Sequence, residues 1–441
     1  MIDIASPARL GVDELRDIWP VLSPEERGEA FGLLGADDAD EFFHSLSAYG
    51  QMTVLTNLPP REQRQWMRSL PPDDATDVLQ EMKAEERARL LGLLDDPVRH
   101  EVAALLAYAE DDAGGLMNPR FARVRPDMTI DEALSYVRRQ ARANLATIYS
   151  VYVLDGAQRL LGVASLRDIF SAAPEKLVRD VMETDLITVP EDMDQESVAR
   201  LIAREDLAAV PVVDAEGHMK GLVTVDDIVD VVLEEATEDI QKSAGMEALD
   251  VPYMQTSLGP LIRKRAGWLA ILFVGEMLTA TAMGYFEAEI ARAVILALFV
   301  PLIISSGGNS GSQASTLVIR AMALGEVKLR DWWRVARREL VSGLALGAIL
   351  ASIGLGRILL WQALFGTYGE HYLLVAITVS VSLLGVVTWG TLSGSMLPFI
   401  LRRARLDPAS ASAPFVATLV DVMGIVIYFG VAAVVLRGTL L

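Results

Sequence analysis

Cysteine is absent from the 441 residues, which excludes disulfides and thiolate metal sites. Histidine occurs only four times, too sparsely for a soft-metal cluster. A metal held by this chain is therefore held by oxygen, which favours hard cations such as Mg²⁺ or Ca²⁺. The opening MIDIASPARLGVDELRDIW has no basic segment followed by an apolar run, so no secretory leader is expected and the first half is expected in the cytosol. Walker motifs and a nucleophile paired with a base are also lacking, and an enzyme is not expected.

Acidic charge is plentiful and unevenly placed. Residues 1–250 hold 50 acidic and 24 basic side chains, whereas residues 251–441 hold 9 and 15. The first half is poorly suited to nucleic acid or anionic lipid and should attract cations. Hydrophobic residues form 52% of the chain, and the asymmetry means that they are concentrated in the second half. A soluble acidic part and a membrane part follow from that segregation.

Residues 1–112 read as short helices. Helix starts recur as LSPEER at 22–27, LPPREQ at 58–63, LPPDDA at 70–75 and MKAEER at 82–87. Proline suits a first helical turn, where its missing N–H costs nothing. The spacing fits a small superhelical solenoid or a helical spacer with a solvated acidic face. Residues 113–235 hold an internal repeat, in which YVLDGAQRLLGVASLRDIF is answered by PVVDAEGHMKGLVTVDDIV. Gly162 to Asp168 and Gly221 to Asp227 share one offset, and Ser165 and Thr224 fall at matching N-cap positions. The repeat resembles a tandem pair of CBS domains, an α+β fold, divided at 113–180 and 181–235. That resemblance implies an adenosine nucleotide such as ATP, with Asp168 or Asp227 on the ribose beside Ser165 or Thr224. The alternative is that both aspartates only cap helices. Residues 228–265 read as one long connecting helix, IVDVVLEEATEDIQKSAGMEALD, then a Pro-Gly-punctuated stretch and the basic cluster Arg263, Lys264 and Arg265, with 236–265 as the connector.

Residues 266–441 hold five apolar stretches, at 266–286, 290–323, 340–361, 372–400 and 413–436. Each can cross a hydrocarbon layer about 30 Å thick. The second and fourth contain glycine, serine and proline, which suits bent or broken helices lining a cavity. Basic residues precede the first span, fill the loop from Lys328 to Arg338, and recur at Arg402, Arg403 and Arg405. The other loops carry Glu287, Glu289 and Glu370. Placing the basic loops inside gives a cytosolic N-terminus and an outer or periplasmic C-terminus.

Polar residues inside the spans carry the chemistry. Asp421 lies within APFVATLVDVMGIVIYFG, where a carboxylate costs about 2.5–3.5 kcal/mol on insertion scales. It is either paired, with Arg357 or Arg320 as candidates, or it faces a water-filled pore and attracts a cation. One aspartate per chain is a weak selector; two, joined by a two-fold dimer, make a divalent site. Gly424, one turn on, is expected to admit another backbone. The second span carries PLIISSGGNSGSQASTLVIRAMA, which fits either a packing seam or a lining for water. Glu276 in the first span either lines a cavity or is protonated at a helix contact.

Taken together, EDDAGGLM, VTVDDIVDVVLEEATEDI, GGNSGSQAST and DPASASAPFVATLVD resemble the MgtE-type bacterial magnesium channels over nearly the whole chain. The implied fold is multidomain: an all-α superhelical N-domain, an α+β CBS pair, a connecting helix and a five-helix transmembrane domain. The resemblance implies a homodimer in the cytoplasmic membrane that admits Mg²⁺ and closes when cytosolic Mg²⁺ is high. Asp421 then selects the ion in a pore lined by Gly308, Asn309, Gln313 and Ala417. Regulatory Mg²⁺ is implied at Glu41, Asp73 and Asp77, at Asp194, Glu196, Asp206 and Asp227, at Glu235, Glu238 and Asp239, and at Asp407. The rival readings are a Co²⁺ or Mn²⁺ carrier and a nucleotide-sensing membrane receptor.

Overall fold

The computed structural model describes residues 11–143, 145, 147–249 and 251–440. Most of the opening segment read for a leader therefore lies outside the described residues. Two compact units divide the chain, Met1–Glu235 and Ala236–Leu441.

The first unit begins with eight short helices: α1 (Val12–Ile18), α2 (Pro24–Phe31), α3 (Ala36–His44), α4 (Ala48–Asn57), α5 (Pro60–Ser69), α6 (Pro72–Gln80), α7 (Ala84–Leu91) and α8 (Asp96–Leu105). The repeated helix starts open α2, α5, α6 and α7. At α2, Ser23 Oγ accepts from Glu26 N–H while the Glu26 carboxylate accepts from Ser23 N–H at 2.8 Å, a reciprocal cap worth about 1 kcal/mol. Each helix turns one apolar side inward, so Phe31, Phe42, Phe43, Leu55, Met67 and Leu79 meet in one core. Arg27 is buried there because its guanidinium donates twice to Trp19 O, at 3.1 and 3.0 Å.

A short helix α9 (Ala113–Leu116) leads into two copies of one sheet. In the first, β1 (Arg123–Val124) runs parallel to β2 (Ser150–Leu154), which pairs antiparallel with β3 (Leu160–Ser165). In the second, β4 (Val189–Pro190), β5 (Ala209–Val213) and β6 (Met219–Thr224) repeat that order. Helices α10 (Ile130–Gln140) and α11 (Leu166–Ser171) accompany the first sheet, and α12 (Gln195–Glu205) and α13 (Val225–Ser243) the second. The copies are interlocked. Asn118, which precedes β1, exchanges backbone hydrogen bonds with Leu222 on β6, and Glu183, after the first sheet, does so with Val163 on β3. The paired glycines now have a cause: a Cβ on Gly162 would strike Met182 and Glu183 O, and one on Gly221 would strike Met117 and Asn118 O.

The second unit holds α14 (Leu258–Tyr285), α15 (Glu287–Arg292), α16 (Val300–Ala323), α17 (Trp332–Phe365), α18 (Tyr372–Arg403) and α19 (Ala413–Val435). All but α15 belong to segments long and apolar enough to cross a membrane. The expected single helix over 228–265 is two helices. α13 stops at Ser243, Gly245 takes a left-handed φ of 76°, and Arg263, Lys264 and Arg265 lie on α14. Only a glycine takes that turn without strain. The second span is broken as expected, with α15 and a 3₁₀ turn at Val294–Phe299 before α16. The fourth is not: α18 runs unbroken through Pro398.

Close packing in this unit rests on glycine pairs four residues apart. A Cβ on Gly390 would overlap Gly307 O, and one on Gly394 would overlap Gly311 O, so α16 and α18 touch backbone to backbone. Gly424, expected to admit a backbone, instead meets the side chains of Val386 and Ile304 at ordinary distances of 3.4 and 3.9 Å.

Candidate cation sites

Helix α6 begins Pro-Asp-Asp and α13 begins Val-Asp-Asp, so each places aspartates in its first turn, where the helix dipole tolerates them. The fold brings these turns together. Asp73 and Asp77 on α6 interact with Asp227 on α13, and Asp74 with Asp226, Asp227 and Asp230. Burial, and then the neighbouring carboxylates, push Asp73 and Asp74 up to about 6. Asp227 rises to about 7, and Asp77 stands well above the ordinary range. Glu110 is raised by burial and by Asp111. Asp73 accepts from Asn118 Nδ2 at 2.9 Å, and Asp227 accepts from the Thr224 hydroxyl at 2.6 Å. Among the described residues none of these aspartates sits in an ion pair. Asp73 is buried and Asp74, Asp77 and Asp227 are half-buried, whereas Asp226 and Asp230 are exposed; carboxylates buried beside like charge favour either the neutral acid or a bound cation. Of this seam, Asp73, Asp77 and Asp227 were expected, whereas Asp74, Asp226, Asp230 and Glu110 were not. Two of them, Asp74 and Asp226, did carry a signal, in the Asp-Asp doublets of LPPDDA and VTVDDI.

The other expected ligands are dispersed. Glu41 is exposed on α3, its carboxylate 3.7 Å from Arg16. Asp194 caps α12 by accepting from Ser197 N–H at 3.1 Å, and Glu196 pairs with Arg200. Asp206 closes α12 in the left-handed conformation, with φ 54°. Glu235 accepts from Gln195 Nε2 at 2.8 Å. Asp239 lies half-buried on α13. Glu238 and Asp407 come together around a cation supplied by the chain, since Lys242 Nζ contacts Glu238 and lies 2.7 Å from Asp407. Burial opposes charge on Lys242, but the two carboxylates outweigh it and hold the ammonium charged. The turn after α13 is anchored in the same region. A Cβ on Gly245 would meet Trp268 on α14 and Pro414 on α19, and Trp268 Nε1 donates to Ser412 at 3.3 Å.

At the expected nucleotide positions, Ser165 donates to Asp168 at 2.5 Å as Thr224 does to Asp227. Both aspartates thus take part in capping. Asp168 is exposed and Asp227 half-buried.

Inside the spans, the GGNSGSQAST segment divides by face. Gly307 and Gly311 pack on α18, while Ser312 and Ser315 hold the start of α19: Ser315 donates to Ala411 O at 2.9 Å and Ser312 to Ala413 O at 3.2 Å. Ser305, Asn309, Gln313 and Thr316 form an exposed polar stripe on the remaining side. The two readings of this segment therefore describe different faces of one helix. Gly308 meets Ala417 of α19 at 3.4 Å, and Asp421 stands one turn beyond Ala417. Asp421 is half-buried, feels the charge of exposed Glu276 on α14, and makes no ion pair among the described residues. Arg357 is engaged elsewhere, donating to the Tyr368 hydroxyl at 3.2 Å and stacking on Trp361.

The sequence is similar to those of known proteins. A family model described as a divalent cation transporter matches residues 300–431, that of the MgtE intracellular N domain matches 10–111, and that of the CBS domain matches 113–175 and 178–234. The chain is 41% identical to the magnesium transporter MgtE of Thermus thermophilus, over 96% of this chain and 93% of the relative. It is 31% identical to the magnesium transporter MgtE of Bacillus subtilis, over 96% and 92%. The crystal structure of the cytosolic domain of the Mg²⁺ channel MgtE in complex with ATP is 42% identical, covering 50% of this chain and 90% of that one, with a TM-score of 0.47. With such identity across nearly the full length of both sequences, the chain belongs to the MgtE family.

Proposed function

We propose that this chain forms a Mg²⁺ channel that admits the ion through the cytoplasmic membrane and closes when cytosolic Mg²⁺ is high. The observation that carries this reading is the polar stripe of α16 beside Asp421, exposed on helices otherwise built for lipid. Polar groups on such a face are costly against hydrocarbon and need water or a second copy. A homodimer supplies both. Two α16 and two α19 helices enclose a wet path bearing two Asp421 carboxylates, with Asn309, Gln313, Gly308 and Ala417 along it. Mg²⁺ sheds its waters reluctantly, so the pair attracts a largely hydrated ion through charge. In this reading the basic loops lie in the cytosol and the C-terminus outside.

Closure is assigned to the acidic seam. The residues that would hold regulatory Mg²⁺ are Asp73, Asp74 and Asp77 on α6 with Asp226, Asp227 and Asp230 on α13, and the all-oxygen, cation-free donor set suits such an ion. A bound divalent cation supplies the positive charge that lets these carboxylates ionise together. Without it they repel, and α6 is pushed from α13. The last turn of α13 carries Lys242, which pairs with Asp407, and the turn after it carries Gly245, packed close to Trp268 and Pro414. The ion is at once cargo and ligand of the closed state, which gives the differential binding that a population shift requires. The CBS pair is further proposed to take an adenosine nucleotide at the Asp168 end.

The test is ion flux into liposomes holding the purified chain. Mg²⁺ entry that stops as Mg²⁺ is raised on the cytosolic face supports the proposal. Absence of flux would favour an anchored nucleotide sensor, and preference for Co²⁺ or Mn²⁺ would favour a carrier for those ions.

A further inference from the structure

Helix α17 has two sides. Its inner side is nearly bare, with Gly343 and Gly347 against Thr388, Thr391 and Leu384 of α18. Its outer side opens a groove of about 500 Å³ lined by Arg334, Arg337, Arg338, Val341, Ser342 and Ala345. The lining is stratified: three guanidinium groups, then a hydroxyl, then apolar carbon, continued along the helix by exposed Ile349 and Leu360. With 34 residues and a rise of about 1.5 Å each, α17 outruns a hydrocarbon layer of about 30 Å. Its arginine end therefore stands at headgroup depth. Exposed Trp332 and Trp333 begin the helix, as aromatic residues do at a membrane interface.

The nearby acids are few. Asp331 lies 3.5 Å from Arg334, and Glu339 lies near Arg338. Arg337 forms no ion pair among the described residues. Cations above an apolar face at the bilayer edge match one kind of molecule, with an anionic head and acyl tails. We propose that this groove is a binding site for an anionic glycerophospholipid, its phosphate held by Arg334, Arg337 and Arg338 and its chains lying along Val341, Ala345 and Ile349. Guanidinium suits phosphate because it offers paired, coplanar donors. The two ends of the protein then use opposite charge: the soluble half gathers cations while the membrane edge gathers anions. This site does not depend on the assignment of the pore.

The test is native mass spectrometry of the full-length chain released in mild detergent, scoring retained phospholipids by headgroup. Wild type is expected to retain phosphatidylglycerol or cardiolipin over phosphatidylethanolamine. Arg337→Gln with Arg338→Gln should lower that enrichment by about fivefold per arginine removed. The double Lys variant keeps charge without the planar fork and should fall between. Both side chains are exposed, and the single variants read the same quantity if the double variant assembles poorly. Equal enrichment in wild type and the Gln variants overturns the proposal. Displacement of the lipid by excess inorganic phosphate overturns the choice of lipid and assigns the site to free phosphate.

Discussion

The seam between α6 and α13 and the neighbourhood of Asp421 both remove carboxylates from water without a basic partner among the described residues, yet they do so differently. In the seam Asp73, Asp74, Asp77 and Asp227 each have two or more acidic neighbours. Asp421, half-buried on α19, feels one acidic neighbour, Glu276. Crowded like charges have two alternative states, apart or bridged, and a cation decides between them. An isolated carboxylate can only attract. Crowding thus makes a switch, whereas isolation makes a weak binding point that an ion can also leave, as conduction requires.

The comparison breaks most directly at Asp421. Asp421→Asn is expected to reduce Mg²⁺ flux per assembled dimer to the level of empty vesicles, or to abolish its preference over K⁺, with assembly retained. Normal flux from a stable variant would remove Asp421 from the pore. The converse experiment neutralises the seam. Asp73→Asn, Asp77→Asn and Asp227→Asn together should leave conduction intact and raise the Mg²⁺ concentration needed for closure by roughly 5–150-fold, the range of ordinary coupling energies. An unchanged closing concentration would reduce the seam to a solvated face.

Packing gives a third, smaller effect that spares both sites. Gly390→Ala places a methyl group on Gly307 O and should cost about 1–3 kcal/mol, visible as a lower melting temperature in detergent. Gly430→Ala, where a Cβ meets nothing, is the matched control. The fourth test is pH. Asp73, Asp74 and Asp227 have folded-state values raised to about 6–7. Their contribution to stability is therefore complete below about 4 and lost as pH rises through about 6–7. Without divalent cations, the soluble half should melt at lower temperature at pH 8 than at pH 5. Saturating Mg²⁺ should shrink that difference, and a flat profile without divalents would mean that the seam is wet. The smallest effect is expected from Lys242→Met, which leaves Glu238 and Asp407 without their shared ammonium and should shift the closing concentration by a few-fold.

Much of the architecture was legible because its signals are local. Proline after a serine or a second proline marks α2, α5 and α6, and the hydrophobic runs mark five spans. The repeat marked two equivalent sheets. The end of α13 was not legible, because helical periodicity persists into AGMEAL and only the φ of Gly245 reveals the turn. The site was half legible. Asp73 and Asp77 sit four residues apart at a helix start, but which helix faces them is a tertiary fact. The same holds for Glu41, whose neighbour in the fold is Arg16. In the second span, composition announced small and polar residues together, while only the helix phase separates Gly307 and Gly311 on the packing side from Asn309 and Gln313 on the open side.

The interlocked sheets also bear on how the sensor comes into being. Asn118 cannot complete its pairing until β6 has left the ribosome, and Val163 must wait for Glu183. Such non-local closures slow folding and tie early segments to late ones. Neither repeat can be excised with its edge strand satisfied. A nascent chain therefore holds the segment from Met117 onward open until nearly all of the soluble half has been made, and the first span emerges soon afterwards. The pair should then mature as one unit at about the time when the chain reaches the membrane, and a ribosome stalled between the repeats should display a protease-sensitive segment that vanishes once Thr224 is exposed.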